Sequence, residues 1–421
     1  MLKLLLILVL ASLFLTQAAE NQLTIAFGSC FKFYRTHDTD VFQRIQSFNP
    51  KYFFWLGDAA YIDYMPIIGI WRAEANETRV KEKFDITNDD KYYAQFKKNV
   101  IIKGVYDDHD SNENNGGKFN PLKESAKQLY LDFIGESKDS PLRKQDGIYQ
   151  SFYVDQYNKI LVVMTDTRYN SDKFTGDSLG DNQWKWLEQQ FQTESQLIIM
   201  TSGVQVMHDD RNGPETWFGW SKQKLYALIK KYNKPIIFLS GDVHYSEIMK
   251  YPCPHRLGQN LYEFTSSGMT FANYDHIPFV DIIFQFLFPT TFSSYQDHYY
   301  KSNFGILKII TNDQHSPIRI EFETHSSQDS SIVLQKIINI EELQKQNFDE
   351  SQTCILDVSI QERQWQNYLL RINENILIVT GLLLVALFLI IFLIYNFKSY
   401  ISKFTELYNQ IQKNKQKLKQ E

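Results

Sequence analysis

Five short polar clusters carry residue types that hold metal ions: Gly28-Ser29-Cys30, Gly57-Asp58-Ala59-Ala60-Tyr61, Asp107-Asp108-His109-Asp110, Asp166-Thr167-Arg168 and Gly241-Asp242-Val243-His244. The third lies in a turn, Gly104 to Gly117, that sets three aspartates and a histidine among flexible Asn and Gly residues. So many carboxylates in one turn repel one another unless positive charge sits among them. Carboxylates alone suit calcium or magnesium. A thiolate from Cys30 and a phenolate from Tyr61 shift the choice toward a more Lewis-acidic transition metal, such as ferric iron. Taken singly, each residue has a plainer reading: Cys30 as a small core side chain, each Asp as a turn residue. Their recurrence favours a shared site built from Cys30, Asp58, Tyr61, Asp108, Asp166, Asp242 and His244.

Every cluster follows an apolar run that reads as a strand: Leu23–Phe27, Tyr52–Leu56, Val100–Ile102, Ile160–Met164 and Pro235–Leu239. A sixth run, Leu197–Met200, ends in Thr201-Ser202-Gly203-Val204-Gln205. Helical spacing is predicted over Asp38–Phe48, Asp90–Lys98, Pro121–Phe133, Asp181–Phe191 and Ser221–Tyr232. This alternation indicates an α/β core. In such sheets a ligand site lies beyond the carboxyl ends of the strands, where these clusters sit. Residues 62–88 read as an irregular insertion holding one N-glycosylation sequon at Asn76. Beyond 245 the pattern turns mostly β, and 341–375 is mainly polar. The aromatic run Phe279–Phe288 reads as a core segment or as a lipid-facing patch.

The two ends bear on location. Residues 1–18 have the charged start, apolar run and small-residue close of a secretory signal peptide. Ile376 to Tyr395 is twenty residues without a charge, enough to span a hydrocarbon core of about 30 Å as a helix. The tail after it carries six Lys against two Glu, which by the positive-inside rule places it in the cytosol. The expectation is a single-pass type I membrane protein, its main domain extracellular or in the secretory or endolysosomal lumen. With 421 residues, 43% hydrophobic, the chain can build a sizeable core. A net charge of −5 argues against nucleic-acid binding. No nucleic-acid module and no protein partner is evident.

The five clusters, in this order, resemble the motifs of the alkaline phosphatase D (PhoD-like) family of calcineurin-type metallophosphoesterases. Gln183-Trp184-Lys185-Trp186-Leu187, and Ser240 before the Gly-Asp-Val-His, resemble its lesser signatures. The resemblance covers roughly residues 22–325. It implies a four-layer α/β/β/α sandwich, while the residues beyond it read from their own composition as a β extension and stalk over 326–375, a transmembrane helix at 376–397 and a basic tail at 398–421. It also implies a polynuclear centre, iron plus calcium, with zinc and manganese as open alternatives. Carried over, Cys30, Asp58 and Tyr61 hold an iron-like ion, and Asp58 bridges to a second metal. Asp108, Asn114, Asp242 and His244 complete the ligands, and Asp107, Asp110, Asp166 and Gln205 ligate or brace. His109 aids the leaving group. Arg168 grips phosphate or braces Asp166.

The chain departs from the family loop at Ser111, Asn112 and Asn114-Asn115, where a carboxylate is lost. The implied activity is hydrolysis of small phosphate esters by a metal-activated hydroxide. Rival readings are a phosphodiesterase or phospholipase acting on lipids or nucleotides, and a catalytically silent binding protein on the same fold. With Cys30 assigned to a metal, two of the three cysteines remain. In an oxidising compartment Cys253 and Cys354 are expected to pair, the alternative being two separate thiols.

Overall fold

The computed structural model describes residues 21–33, 40–65, 70–71, 76–211, 213–272, 289–311, 318–344, 348–349, 351–374 and 376–417. The signal-like segment 1–18 and the run Phe279–Phe288 lie outside the described residues. The strands are β1 (Asn21–Gly28), β2 (Tyr52–Leu56), β3 (Tyr64–Met65), β4 (Ile70–Trp71), β5 (Ile101–Val105), β6 (Gln150–Asp155), β7 (Ile160–Met164), β8 (Leu197–Ser202), β9 (Ile236–Ser240), β10 (Ser246–Lys250), β11 (Tyr262–Ser266), β12 (His298–Tyr299), β13 (Asn303–Thr311), β14 (Arg319–Ser326) and β15 (Ile332–Asn339). One sheet runs β15-β14-β13-β1-β2-β5 and the other β12-β10-β11-β9-β8-β7-β6, with β3 and β4 paired apart. Within them β1, β2 and β5 are mutually parallel, as are β7, β8 and β9.

Alternation along the strands explains the packing, because successive side chains point to opposite faces. Phe53 and Trp55 of β2 meet Phe42 of helix α1 (Val41–Gln46), and Phe53 also meets Phe96 of α2 (Lys91–Phe96). Tyr52 and Phe54, on the other face of β2, meet Phe152 of β6 in the second sheet. Phe264 and Phe322 stack across the sheets with centroids 4.5 Å apart. In β7, Ile160, Val162 and Met164 join this inter-sheet core. Leu161 and Val163 face outward to Trp184 and Leu187 of α3 (Asp181–Gln192) and Leu225 of α4 (Gly219–Tyr232). The result is a mixed α/β fold of two sheets with helices, consistent with a metallophosphatase sandwich. Truncating a buried ring such as Phe53 to Ala costs about 3–5 kcal/mol.

The insertion at 62–88 is not irregular throughout. Glu77–Asp89 is a helix, because Val80, Phe84 and Thr87 recur on one buried face. Asn76 is exposed at its start, and its Oδ1 accepts the amides of Thr78 and Arg79 at 3.0 and 3.3 Å.

Two compact units divide at Gln364/Trp365. In the first, Cys253 and Cys354 form a disulfide, Cα atoms 5.6 Å apart. Nearby in sequence, Arg363 donates to both Asp209 carboxylate oxygens at 2.8 and 3.1 Å, and Gln364 to the Asp210 carbonyl at 3.0 Å. The second unit contains the helix Ile376–Lys417, within which Leu383–Glu406 is long and apolar enough to cross a membrane.

Candidate metal centre

The carboxyl ends of the parallel strands meet at one place. Gly241, after β9, sits so close to the end of β2 that a Cβ there would lie 2.3 Å from the Leu56 carbonyl oxygen. Gly57, with φ +90°, leaves room for Asp107 in the same way. Cys30, Asp58, Asp242 and His244 all have φ between 49° and 74°, a region that non-glycine residues rarely occupy. Such backbone persists where the surroundings over-determine it, and it aims these side chains inward.

Ligand-type atoms of Asp58, Asp108 and His109 lie within 4.8 Å of one another, as do those of Asp58, Asp107, Asp108 and Asp242. The Cys30 thiol is 3.6 Å from Asp58 Oδ2, 3.4 Å from the Asp242 carbonyl and 3.0 Å from Ser267 Oγ. The Tyr61 ring packs against the His109 ring, tilted by 34° with centroids 4.6 Å apart. His109 Nδ1 pairs with Asp63 Oδ1 at 2.8 Å, both residues buried.

Burial pushes the Asp58 carboxyl well above its ordinary value, and Cys30, Asp108 and Asp107 push the same way. Burial likewise raises Asp242, then Asp107 and Glu215 add to it. Asp107 and Asp110 are taken up to about 7 by burial, against the pull of Arg168 on the first and of backbone amides on the second. Burial raises the Cys30 thiol and the Tyr61 hydroxyl too. Asp108 is the exception. Burial works to raise it, but His109 and Arg168 hold it below the usual range. For His109 burial opposes protonation, yet Asp108 and Asp63 carry the imidazolium up to about 9. Burial drives His244 down to about 4.

This donor set fits a polynuclear metal centre. Asp58 Oδ1 is buried and has no hydrogen-bond partner, and a cation among the crowded carboxylates reverses the repulsion. The neutral His244 ring pairs Nδ1 with the Phe271 carbonyl at 2.6 Å, the arrangement that orients a ligating imidazole.

The sequence profile of the PhoD-like phosphatases matches residues 25–329. The chain belongs to the PhoD-like phosphatase family. It is accordingly a metal-dependent phosphoester hydrolase. Among solved structures, one of PhoD aligns at TM-score 0.55 and 14% identity, covering 85% of this chain and 77% of that chain. A dimetal phosphatase from Danio rerio aligns at TM-score 0.43 and 10% identity, covering 76% of this chain and 99% of that one. No curated protein matches the chain significantly.

Not every sequence-selected residue of this PhoD-like chain reaches the centre. Asp166 accepts the amides of Ile148, Arg168 and Tyr169, each at 2.9 Å. Asp110 accepts those of Ala60 and Asp107 at 2.8 and 3.1 Å. Gln205 donates to Glu247 and Thr265 at 2.8 and 2.9 Å. Arg168 is held by Asp107 and by Glu215, the latter at 2.6 Å. Asn114 is exposed. In the same turn Asn112, with φ 65°, is buried, and its Oδ1 has no hydrogen-bond partner. Asp63, as the partner of His109, was missed from sequence. The Lys32 ammonium lies 4.1 Å from the Phe271 ring centroid and 5.5 Å from that of Tyr61.

Proposed function

We propose that this chain is a membrane-anchored phosphatase acting on small phosphate esters outside the cytosol. The observation that carries the catalytic part is the convergence of buried carboxylates on Asp58, one of whose oxygens accepts nothing. On this reading Cys30, Asp58 and Tyr61 would hold an iron-like ion, and Asp58, Asp108, Asp242 and His244 would hold a second, calcium-like ion. When bound, such ions supply Lewis-acid polarisation of the phosphoryl group and acidify water.

The chain's own residues do the rest. Asp63 fixes His109 through Nδ1, so that Nε2 carries a proton for the departing oxygen as the P–O bond breaks. Arg168 holds Asp107 in place rather than gripping substrate. Asp110 fixes the turns that present Asp58 and Asp107, and Asp166 fixes the turn that presents Arg168.

The anchoring part rests on sequence and on one apolar helix. The signal-like residues 1–18, the span at 376–397 and the Lys-rich tail at 398–421 support a type I topology, with the sandwich at 22–325 outside and 326–375 as extension and stalk. Glycosylation at the exposed Asn76 accords with it. The experiment is twofold. Purified protein should hydrolyse a chromogenic phosphomonoester and lose that activity on chelation, regaining it with iron and calcium. Protease added to sealed vesicles should clip the tail only after permeabilisation. Full activity after verified metal removal would end the catalytic reading, and tail cleavage in sealed vesicles would reverse the topology.

A further inference from the structure

We propose that Ser267 is a positioning residue of the metal centre: its hydroxyl donates to the Cys30 sulfur, aims that sulfur and moderates its electron donation to a bound metal. The proposal rests on the reading of Cys30 as a ligand and adds what holds it. Ser267 directly follows β11, in a loop that carries none of the proposed ligands. Yet this loop lies along two of them, one from each sheet. The amides of Gly268 and Met269 donate to the Ser29 carbonyl at 3.1 and 3.0 Å, and that of Phe271 to the Cys30 carbonyl at 3.1 Å. The Phe271 carbonyl pairs with His244 Nδ1 at 2.6 Å. One loop thus braces the turn after β1 and the turn after β9. Ser267 itself is fully buried, and Asn303, at the start of β13, donates from Nδ2 to its carbonyl at 2.7 Å.

The direction of the hydrogen bond follows from counting. A hydroxyl has one proton to give and two lone pairs. The His244 amide donates to Ser267 Oγ at 2.9 Å and takes up one lone pair. Cys30 Sγ lies 3.0 Å from the same oxygen, and without a metal either partner can donate. A sulfur bonded to a metal has lost its proton and can only accept. Two further oxygens near the sulfur, the Asp242 carbonyl at 3.4 Å and Asp58 Oδ2 at 3.6 Å, are acceptors and offer it nothing. The Ser267 hydrogen therefore turns to Cys30. The amide of one proposed ligand, the serine and the sulfur of another then form a chain whose links strengthen one another. Hydrogen bonds to a coordinated sulfur orient it and tune the potential of its metal. A serine that merely satisfied the His244 amide would leave that potential alone.

The test uses full-length protein loaded with ferric iron and calcium, and the variants Ser267→Ala, which removes the hydroxyl, and Ser267→Thr, which keeps it. Comparison with Cys30→Ala identifies the sulfur-to-iron absorption band. In Ser267→Ala that band should move to longer wavelength. Its preference for ferric over ferrous iron should rise about tenfold, within the reach of one hydrogen bond to a charged group, which lowers the one-electron potential by about 59 mV. With p-nitrophenyl phosphate, kcat should fall roughly ten- to hundredfold. Ser267→Thr should restore band, potential and most of kcat. A wild-type measurement needs no variant to fold: the iron–sulfur stretch in resonance Raman should shift when the protein is loaded in D2O. An unmoved band and potential in folded Ser267→Ala, or no D2O shift in wild type, would overturn the assignment. A wild type that hydrolyses the ester but lacks a Cys30-dependent band would overturn it too, and leave the phosphatase reading standing. An inactive wild type whose band still moves in Ser267→Ala would support Ser267 and count against the phosphatase reading alone.

Discussion

The carboxyl ends of β1, β2 and β5 and those of β7, β8 and β9 meet at one site, yet they contribute unequally. The first three strands lead to Cys30, Asp58 and Asp108, all within the cluster. Of the second three, β9 leads to a member of the carboxylate cluster, Asp242, followed by His244. The ends of β7 and β8 lead to Asp166 and Gln205, whose polar atoms are taken up by backbone amides and by Glu247 and Thr265. Asp108 also accepts two backbone amides, from His109 and Asn115, yet lies in the carboxylate cluster, so amide contacts alone do not separate the two sets. Asp58 Oδ1 has no hydrogen-bond partner.

The contrast is broken most directly at Asp58. Asp58→Asn should lower turnover at least about a hundredfold and reduce bound metal, while the metal-free variant melts no lower than metal-free wild type. Steady-state kinetics, metal analysis and calorimetry together check this. A variant with wild-type turnover would make Asp58 merely a turn residue.

Asp166→Asn should do the opposite. An amide oxygen cannot accept all three backbone donors, so stability should fall by about 1–3 kcal/mol. Metal content per folded molecule should be kept. Metal loss without destabilisation would move Asp166 into the ligand set.

The pH dependence sharpens the comparison further. Asp107 and Asp110 are carried up to about 7 by burial, against about 3.9 in an unfolded chain. Between these values the folded, metal-free protein keeps protons that the unfolded chain has released. Its stability should therefore fall as pH rises from about 4 to about 7. Added metal should flatten that slope. Thermal melts in chelator across this range decide it, and stability rising with pH would contradict the directions given.

The smallest effect is expected at Gln205. Gln205→Leu leaves Glu247 and Thr265 each short of one donor, costing about 1–2 kcal/mol, with kcat per folded molecule unchanged. A fall in kcat would return Gln205 to the centre.

Much of this was legible in the sequence, because apolar runs ending in Gly-Asp or Gly-Ser-Cys mark strand ends without tertiary information. What escaped depends on partners far apart in the chain. Asp63 lies two residues past Tyr61, in what reads as the start of a loop, and only its meeting with His109, 46 residues on, gives it a role. Asn114 stands out by motif position but is exposed, whereas Asn112 in the same turn is buried with φ 65°. The helix Glu77–Asp89 did leave a signal, Val80, Phe84 and Thr87 at helical spacing after a capping Asn76, hidden by a polar majority.

The disulfide has a mechanical meaning. β15 is the edge strand of its sheet and is followed by the segment leading to the C-terminus. A pull on the chain beyond residue 354 would, without a cross-link, bear on β15 and unzip it from β14 one hydrogen bond at a time. The Cys253–Cys354 bond intercepts that load and passes it to the segment after β10, beside a sheet buried on both faces. Arg363 and Gln364, bonded to Asp209 and Asp210, take a first share of the strain before it reaches the sulfurs. The edge strand β15 is thereby kept slack, and a pull on the chain beyond residue 354 leaves the spacing of Asp58, Asp108 and Asp242 undisturbed.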